Sequence, residues 1–117
     1  MQQKDIQERV YQLVLRVIRL CRQLEGDSVG RVLLNQLLRA ATAIGANLEE
    51  AQAAQSKKDF IAKMAIARKE AFETRYWLRL VKDSGALPAA RMADILDECD
   101  QVAKVLSGIV LSAKKRS

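Results

Sequence analysis

Apolar residues recur along this chain at alternating spacings of four and three. Ile6, Val10, Leu13, Val17, Leu20 and Leu24 form a first run, and Leu34, Leu37, Ala41, Ile44, Leu48 and Ala51 a second. Phe60, Met64, Ala67, Ala71, Thr74, Leu78 and Val81 make the third, and Met92, Ile95, Cys99, Val102, Leu106 and Ile109 the fourth. This repeat sets one apolar stripe along a helix that lies nearly parallel to its neighbours. Four stripes predict an all-α, antiparallel up-down-up-down four-helix bundle. The helices are expected over about residues 4–25, 31–54, 57–83 and 88–113 of a single domain covering 1–117.

The residues between the stripes agree with this division. Gly26-Asp27-Ser28 closes the first helix, with Gly30 nearby. Ser56-Lys57-Lys58-Asp59 has the spacing of a capping box, with Asp in place of Glu. Ser84-Gly85 ends the third helix, Pro88 pre-sets the first turn of the fourth, and the C-terminal Lys114-Lys115-Arg116-Ser117 is expected to fray. Short connections favour antiparallel neighbours. Gly45 falls inside the second helix, where glycine costs about 1 kcal/mol relative to alanine. Two explanations fit: close packing of a smooth Ala/Gly face against Ala65, Ala67 and Ala71 of the third helix, or a ligand groove.

Two helices carry more apolar surface than one stripe needs. At about 100° per residue, Ile66, Trp77 and Leu80 lie well off the stripe of the third helix, with Tyr76 on the other flank. The first helix adds Tyr11, Val14 and Ile18. Contiguous extra apolar surface marks an interaction site, so these seven residues predict a homo-oligomer interface. The cations follow the same helices. Lys57, Arg68, Arg75, Arg79 and Lys82 share one flank of the third, and Arg9, Arg16 and Arg19 line a face of the first. With Phe72 and Tyr76 between them, such rows suit a phosphate backbone and exposed bases. They serve equally as partners for Asp94, Asp97, Glu98 and Asp100 of the fourth helix. Arg39, Asn47, Glu50 and Glu70 are expected to form a structural polar network where helices two and three meet, with Arg68 an alternative to Arg39.

Composition narrows the function. The formal charge is +6, and residues 56–83 hold eight basic against four acidic side chains, so the excess sits on the third helix and favours a polyanionic partner, RNA or DNA. There is no histidine, which removes the commonest general base and the commonest metal ligand. No phosphate loop and no pairing of nucleophile with base is present. We therefore expect no enzyme, no cofactor and no metal. Cys21 and Cys99 fall on apolar faces and are expected to be buried, reduced thiols of a cytoplasmic protein. The nine-residue uncharged run Ala40–Leu48, which none exceeds, is too short to cross a membrane, and the start of the chain has no signal-peptide core.

Three segments resemble a known family. Leu37-Leu38-Arg39-Ala40-Ala41-Thr42-Ala43-Ile44-Gly45-Ala46-Asn47-Leu48-Glu49-Glu50-Ala51 is similar to a segment of the bacterial four-helix-bundle family that includes proteins encoded in intervening sequences of 23S ribosomal RNA genes. Ser56-Lys57-Lys58-Asp59-Phe60-Ile61-Ala62-Lys63-Met64-Ala65-Ile66-Ala67 and Lys69-Glu70-Ala71-Phe72-Glu73-Thr74-Arg75-Tyr76-Trp77-Leu78 resemble the segments that follow. Thr42 stands where the pattern commonly has Ser, and Ala43 replaces the Ser before Ile. The resemblance implies an antiparallel bundle assembled into a ring, a pentamer. It also brings in a relative, the accessory variability determinant of diversity-generating retroelements, a basic pentameric bundle that partners a reverse transcriptase and its RNA. It carries over no settled activity.

Overall fold

The structure is a computed structural model that describes residues 3–24 and 27–116. It contains four helices, α1 (Gln3–Cys21), α2 (Ser28–Gln52), α3 (Lys57–Asp83) and α4 (Ala89–Lys115), and no strand among the described residues. Each helix packs on the next, and α1 closes the bundle against α4, giving an up-down-up-down rod 47 Å long and 22 by 19 Å across.

The core follows the predicted stripes closely. Ile6, Val10, Leu13 and Val17 of α1, Leu37, Ala41, Ile44 and Leu48 of α2, Met64, Leu78 and Val81 of α3, and Met92, Cys99, Val102 and Leu106 of α4 are all buried. Each large side chain among them contributes roughly 1.5–3 kcal/mol on leaving water. The stripe shifts at three places. Leu33 rather than Leu34 is buried at the start of α2, Val110 rather than Ile109 near the end of α4, and Phe60 is only half-buried against the core. Thr74 is fully buried, and its hydroxyl donates to the Glu70 carbonyl at 2.8 Å, so this polar group enters the core already satisfied.

The helix ends correct several expectations. Helix α1 stops at Cys21, short of the expected 25, because the chain tightens there. Gln23 N–H donates to Leu20 O at 3.0 Å and Leu24 N–H to Cys21 O at 3.1 Å, which turns Leu24 back into the core. Gly26, expected to close this helix, lies outside the described residues. Helix α2 begins at Ser28, three residues early, because the Asp27 side chain caps it by accepting from Gly30 N–H at 2.7 Å. Gly30 is required by close approach: a Cβ there would stand 2.7 Å from the Leu24 carbonyl oxygen. Ser56 caps α3, accepting from Asp59 N–H at 3.0 Å, while Asp59 reaches back to Gln55 N–H at 3.4 Å. After α3, Gly85 takes a φ of 78°, the left-handed region that glycine adopts without strain. Pro88 is the cap residue of α4 rather than part of its first turn, its carbonyl accepting from Arg91 N–H at 2.9 Å. Helix α4 continues through Lys115, past the expected 113, and only Ser117 of the supposedly frayed tail lies outside the described residues.

Gly45 has a different neighbour from the one expected. A Cβ at this position would meet Val10 and Val14 methyls at 3.9 Å, so its open side faces α1 and not the alanines of α3. The small residues Thr42, Gly45 and Ala46 leave a mostly apolar groove of about 420 Å³ between α1 and α2, with Gln7, Tyr11, Val14, Leu48 and Glu49.

Candidate nucleic-acid interface

The predicted cations separate into two sets on opposite sides of α4. Arg9 leaves the nucleic-acid list. Its Nε and Nη2 donate to the two Glu98 oxygens, each at 2.7 Å, and Nη2 also donates to Gln101 at 2.7 Å. This bidentate bond to Glu98 raises the guanidinium pKa above its ordinary value and fastens α1 to α4. Arg16 is half-buried and Arg19 exposed, and neither meets a carboxylate among the described residues.

The other set lies along the edge between α3 and α4. Arg75 Nε is paired with Asp100 Oδ1 at 2.7 Å, both groups about two-fifths exposed. Arg68 Nε donates to Ser107 Oγ at 2.8 Å, and its guanidinium carbon stands 5.5 Å from the centre of the Phe72 ring. Neither Arg68 nor the exposed Lys57, Arg79 and Lys82 pairs with a carboxylate among the described residues. The structure adds Lys104, exposed on α4 beside Phe72 and Ser107. Sequence reading missed it because it stands alone on a helix whose other charges at that level are acidic. Only the antiparallel register, in which Arg68 meets Ser107 and Arg75 meets Asp100, brings it to this edge.

The polar network between α2 and α3 is real but differently composed. Arg39 bonds Glu70 at 3.4 Å and also Glu73, and Glu73 accepts from Trp77 Nε1 at 3.3 Å. Glu50 belongs to a separate pair with Lys63 at 2.9 Å, a contact that raises the Lys63 pKa. Asn47 stays out of both, donating to the Ala43 carbonyl of its own helix at 2.8 Å. Arg68, the alternative cation, turns to α4 instead.

The predicted interface residues also divide. Trp77 and Leu80 fold back against the core of their own bundle, and Trp77 meets Tyr76 edge-on at 5.1 Å between ring centres. A long side chain reaches further round its helix than its Cβ direction indicates. Val14 packs on the core and Ile18 is half-buried, whereas Tyr11, Ile66 and Tyr76 are exposed. Val29 and Val32 near the start of α2, not singled out from the sequence, are exposed as well. Since Arg39 stands opposite Glu73, the antiparallel register sets Val32 level with Leu80.

Both thiols are buried, as expected. Desolvation pushes Cys21 up to about 11 and Cys99 to about 12. Among the described residues there is no group of three or more side chains fit to hold a metal ion, and no helix long and apolar enough to cross a membrane.

An antiparallel four-helix bundle with a charged α3–α4 edge defines the class of protein. The family model described as 23S rRNA-intervening sequence protein matches residues 2–108, and the chain belongs to that family. It is also similar to a solved structure, a protein with unknown function from the S23 ribosomal protein family of Bacteroides thetaiotaomicron VPI-5482. The two share 34% identity, with a TM-score of 0.87 over 94% of this chain and 98% of that one. No curated protein matches the chain.

Proposed function

We propose that this protein is a non-enzymatic, oligomeric bundle that holds RNA along its α3–α4 edge. The observation that supports it is the row of cations that have no carboxylate partner among the described residues. Lys57, Arg68, Arg79 and Lys82 share one flank of α3, and Lys104 joins them from α4. The salt bridges that fasten helix to helix use Arg9, Arg39, Lys63 and Arg75 instead, and within the row Arg68 alone bonds another helix among the described residues, through Ser107. From Lys57 to Lys82 the row is about 37 Å long at 1.5 Å per residue, enough for several successive phosphates. RNA is favoured over DNA because the family's description ties these proteins to 23S rRNA.

The oligomer draws on a different surface. Val29, Val32, Ile66 and Tyr76 leave apolar area exposed on the α2–α3 side, and Tyr11 does so beside the α1–α2 groove. Covering such area is the ordinary reason for copies to associate, and a pentameric ring is the assembly we propose. The same patch supports a second reading, a scaffold that docks a protein partner such as a reverse transcriptase and has no nucleic-acid role.

The test is binding to a structured RNA across a salt series. Several phosphate contacts give an affinity that falls steeply with salt. Reversing Arg68, Arg79 and Lys104 to Glu should weaken binding by roughly 100-fold or more at low salt, with the sedimentation coefficient unchanged. Binding that survives the triple reversal overturns the edge assignment. Absence of RNA binding in the parent protein leaves the scaffold reading.

A further inference from the structure

The α3–α4 edge contains a pocket as well as charge. It holds about 320 Å³ and is lined by Phe72, Arg75, Asp100, Ala103, Lys104 and Ser107. That volume is near the lower limit of the roughly 300–1,000 Å³ found at small-molecule sites. One wall is the Phe72 ring, 42% exposed. Arg68 stands over this ring without lining the pocket, and Ser107 holds it by its Nε at 2.8 Å. The ring thus carries a guanidinium tied to Ser107 and is itself part of the pocket lining. The lining also includes the Asp100 carboxylate, an acceptor paired with Arg75 at 2.7 Å. Lys104 is at the rim, exposed and unpaired with any carboxylate among the described residues.

An aromatic surface, a carboxylate acceptor and a cation match the three parts of one unpaired nucleotide. The base stacks on the ring, as bases do on aromatic side chains of single-strand binders. An exocyclic amine donates to the carboxylate, the pairing by which Asp accepts from cytosine N4. The phosphate takes the ammonium. We infer that the α3–α4 pocket captures a single unstacked, amine-bearing base, and that a single-stranded segment is therefore the part of the RNA this edge selects. This rests on the nucleic-acid reading above and narrows it.

The experiment compares three strands of equal length and phosphate number: oligocytidine, oligouridine and a strand of abasic residues. Fluorescence anisotropy of labelled strands over a salt series should rank them in that order. Phe72→Leu, at an exposed position, should lower oligocytidine affinity about tenfold, close to the abasic level, without altering the salt slope. Lys104→Gln, fully at the surface, should make the slope shallower by about 0.7, one phosphate contact on a single strand. Circular dichroism checks that each variant stays helical. Equal affinity for abasic and base-bearing strands overturns the pocket while leaving the charged edge standing. No binding to any strand at low salt removes both readings. Tighter binding to polyglutamate than to every strand overturns both in favour of an acidic protein partner.

Discussion

The α1–α2 and α3–α4 pairs are built on the same four-three repeat, yet their outer seams have opposite chemistry. Between α1 and α2, Thr42, Gly45 and Ala46 lie opposite Tyr11 and Val14, and no salt bridge joins the two helices among the described residues. Between α3 and α4 the seam is fastened by Arg75–Asp100 and Arg68–Ser107, with Phe72 and Lys104 beside them. The core stripe decides only which residues face inward. What flanks it decides whether a seam is a smooth apolar groove or a polar, charged edge, and one bundle can carry both.

The largest way to disturb the first seam is at its entry. Gly30→Ala sets a methyl against the Leu24 carbonyl oxygen, backbone that cannot swing aside. We expect a loss of roughly 1–3 kcal/mol, read as a fall in the urea midpoint.

The two thiols compare the seams directly. Cys99, within the α3–α4 half, is pushed higher by desolvation than Cys21 on the α1–α2 side. Thiolate is the reactive form, so a disulfide reagent at pH 8 should label Cys21 faster than Cys99. Equal rates would mean that the seams open equally. The same shifts carry a sign for stability. Both folded-state values are raised above the ordinary 9.0, so the contribution is whole below about pH 9 and is lost as pH climbs towards 11 and 12. Denaturation midpoints should fall over that window, less so in Cys99→Ala.

Smaller still is Gly45→Ala. The added methyl meets Val10 and Val14 at an ordinary 3.9 Å and removes a helix penalty of about 1 kcal/mol. We expect a gain of about 0.5–1 kcal/mol in the thermal midpoint; a loss would mean that the groove needs its openness. The least effect on stability belongs to Asp100→Ala, which breaks a pair with both partners well exposed, worth roughly 0.5 kcal/mol or less. It sharpens the comparison through binding instead. Affinity for the abasic strand should rise a few-fold as a negative charge leaves the edge, while the preference for cytidine over uridine disappears.

Element type and core were legible because period carries them. A stripe such as Met64, Ala67, Ala71, Thr74, Leu78 and Val81 can be read without knowing its partners. The slips were local. Leu33 displaced Leu34 where capping by Asp27 started α2 a turn early, and Val110 displaced Ile109 near the end of α4. The site was less legible, because a helical wheel gives direction but neither reach nor partner. Trp77 lies far from the stripe by angle, yet its indole reaches back to the core and to Glu73. Arg9 and Arg68 looked alike as surface cations. Only the pairing of helices distant in sequence gives Glu98 to one and Ser107 to the other.

Helix α3 runs unbroken for 27 residues, from the Ser56 cap to Ser84. The anchor points of its positive groups are therefore mounted on a stiff bar at fixed heights, with only each side chain's own reach to suit what lies against it. In the complex proposed above, the rest of the fit comes from the strand, whose rotatable sugar–phosphate links can fold to those heights where a regular duplex cannot. On that proposal such a bar acts as a gauge, accepting ligands by how their charges can be spaced rather than by how many they carry.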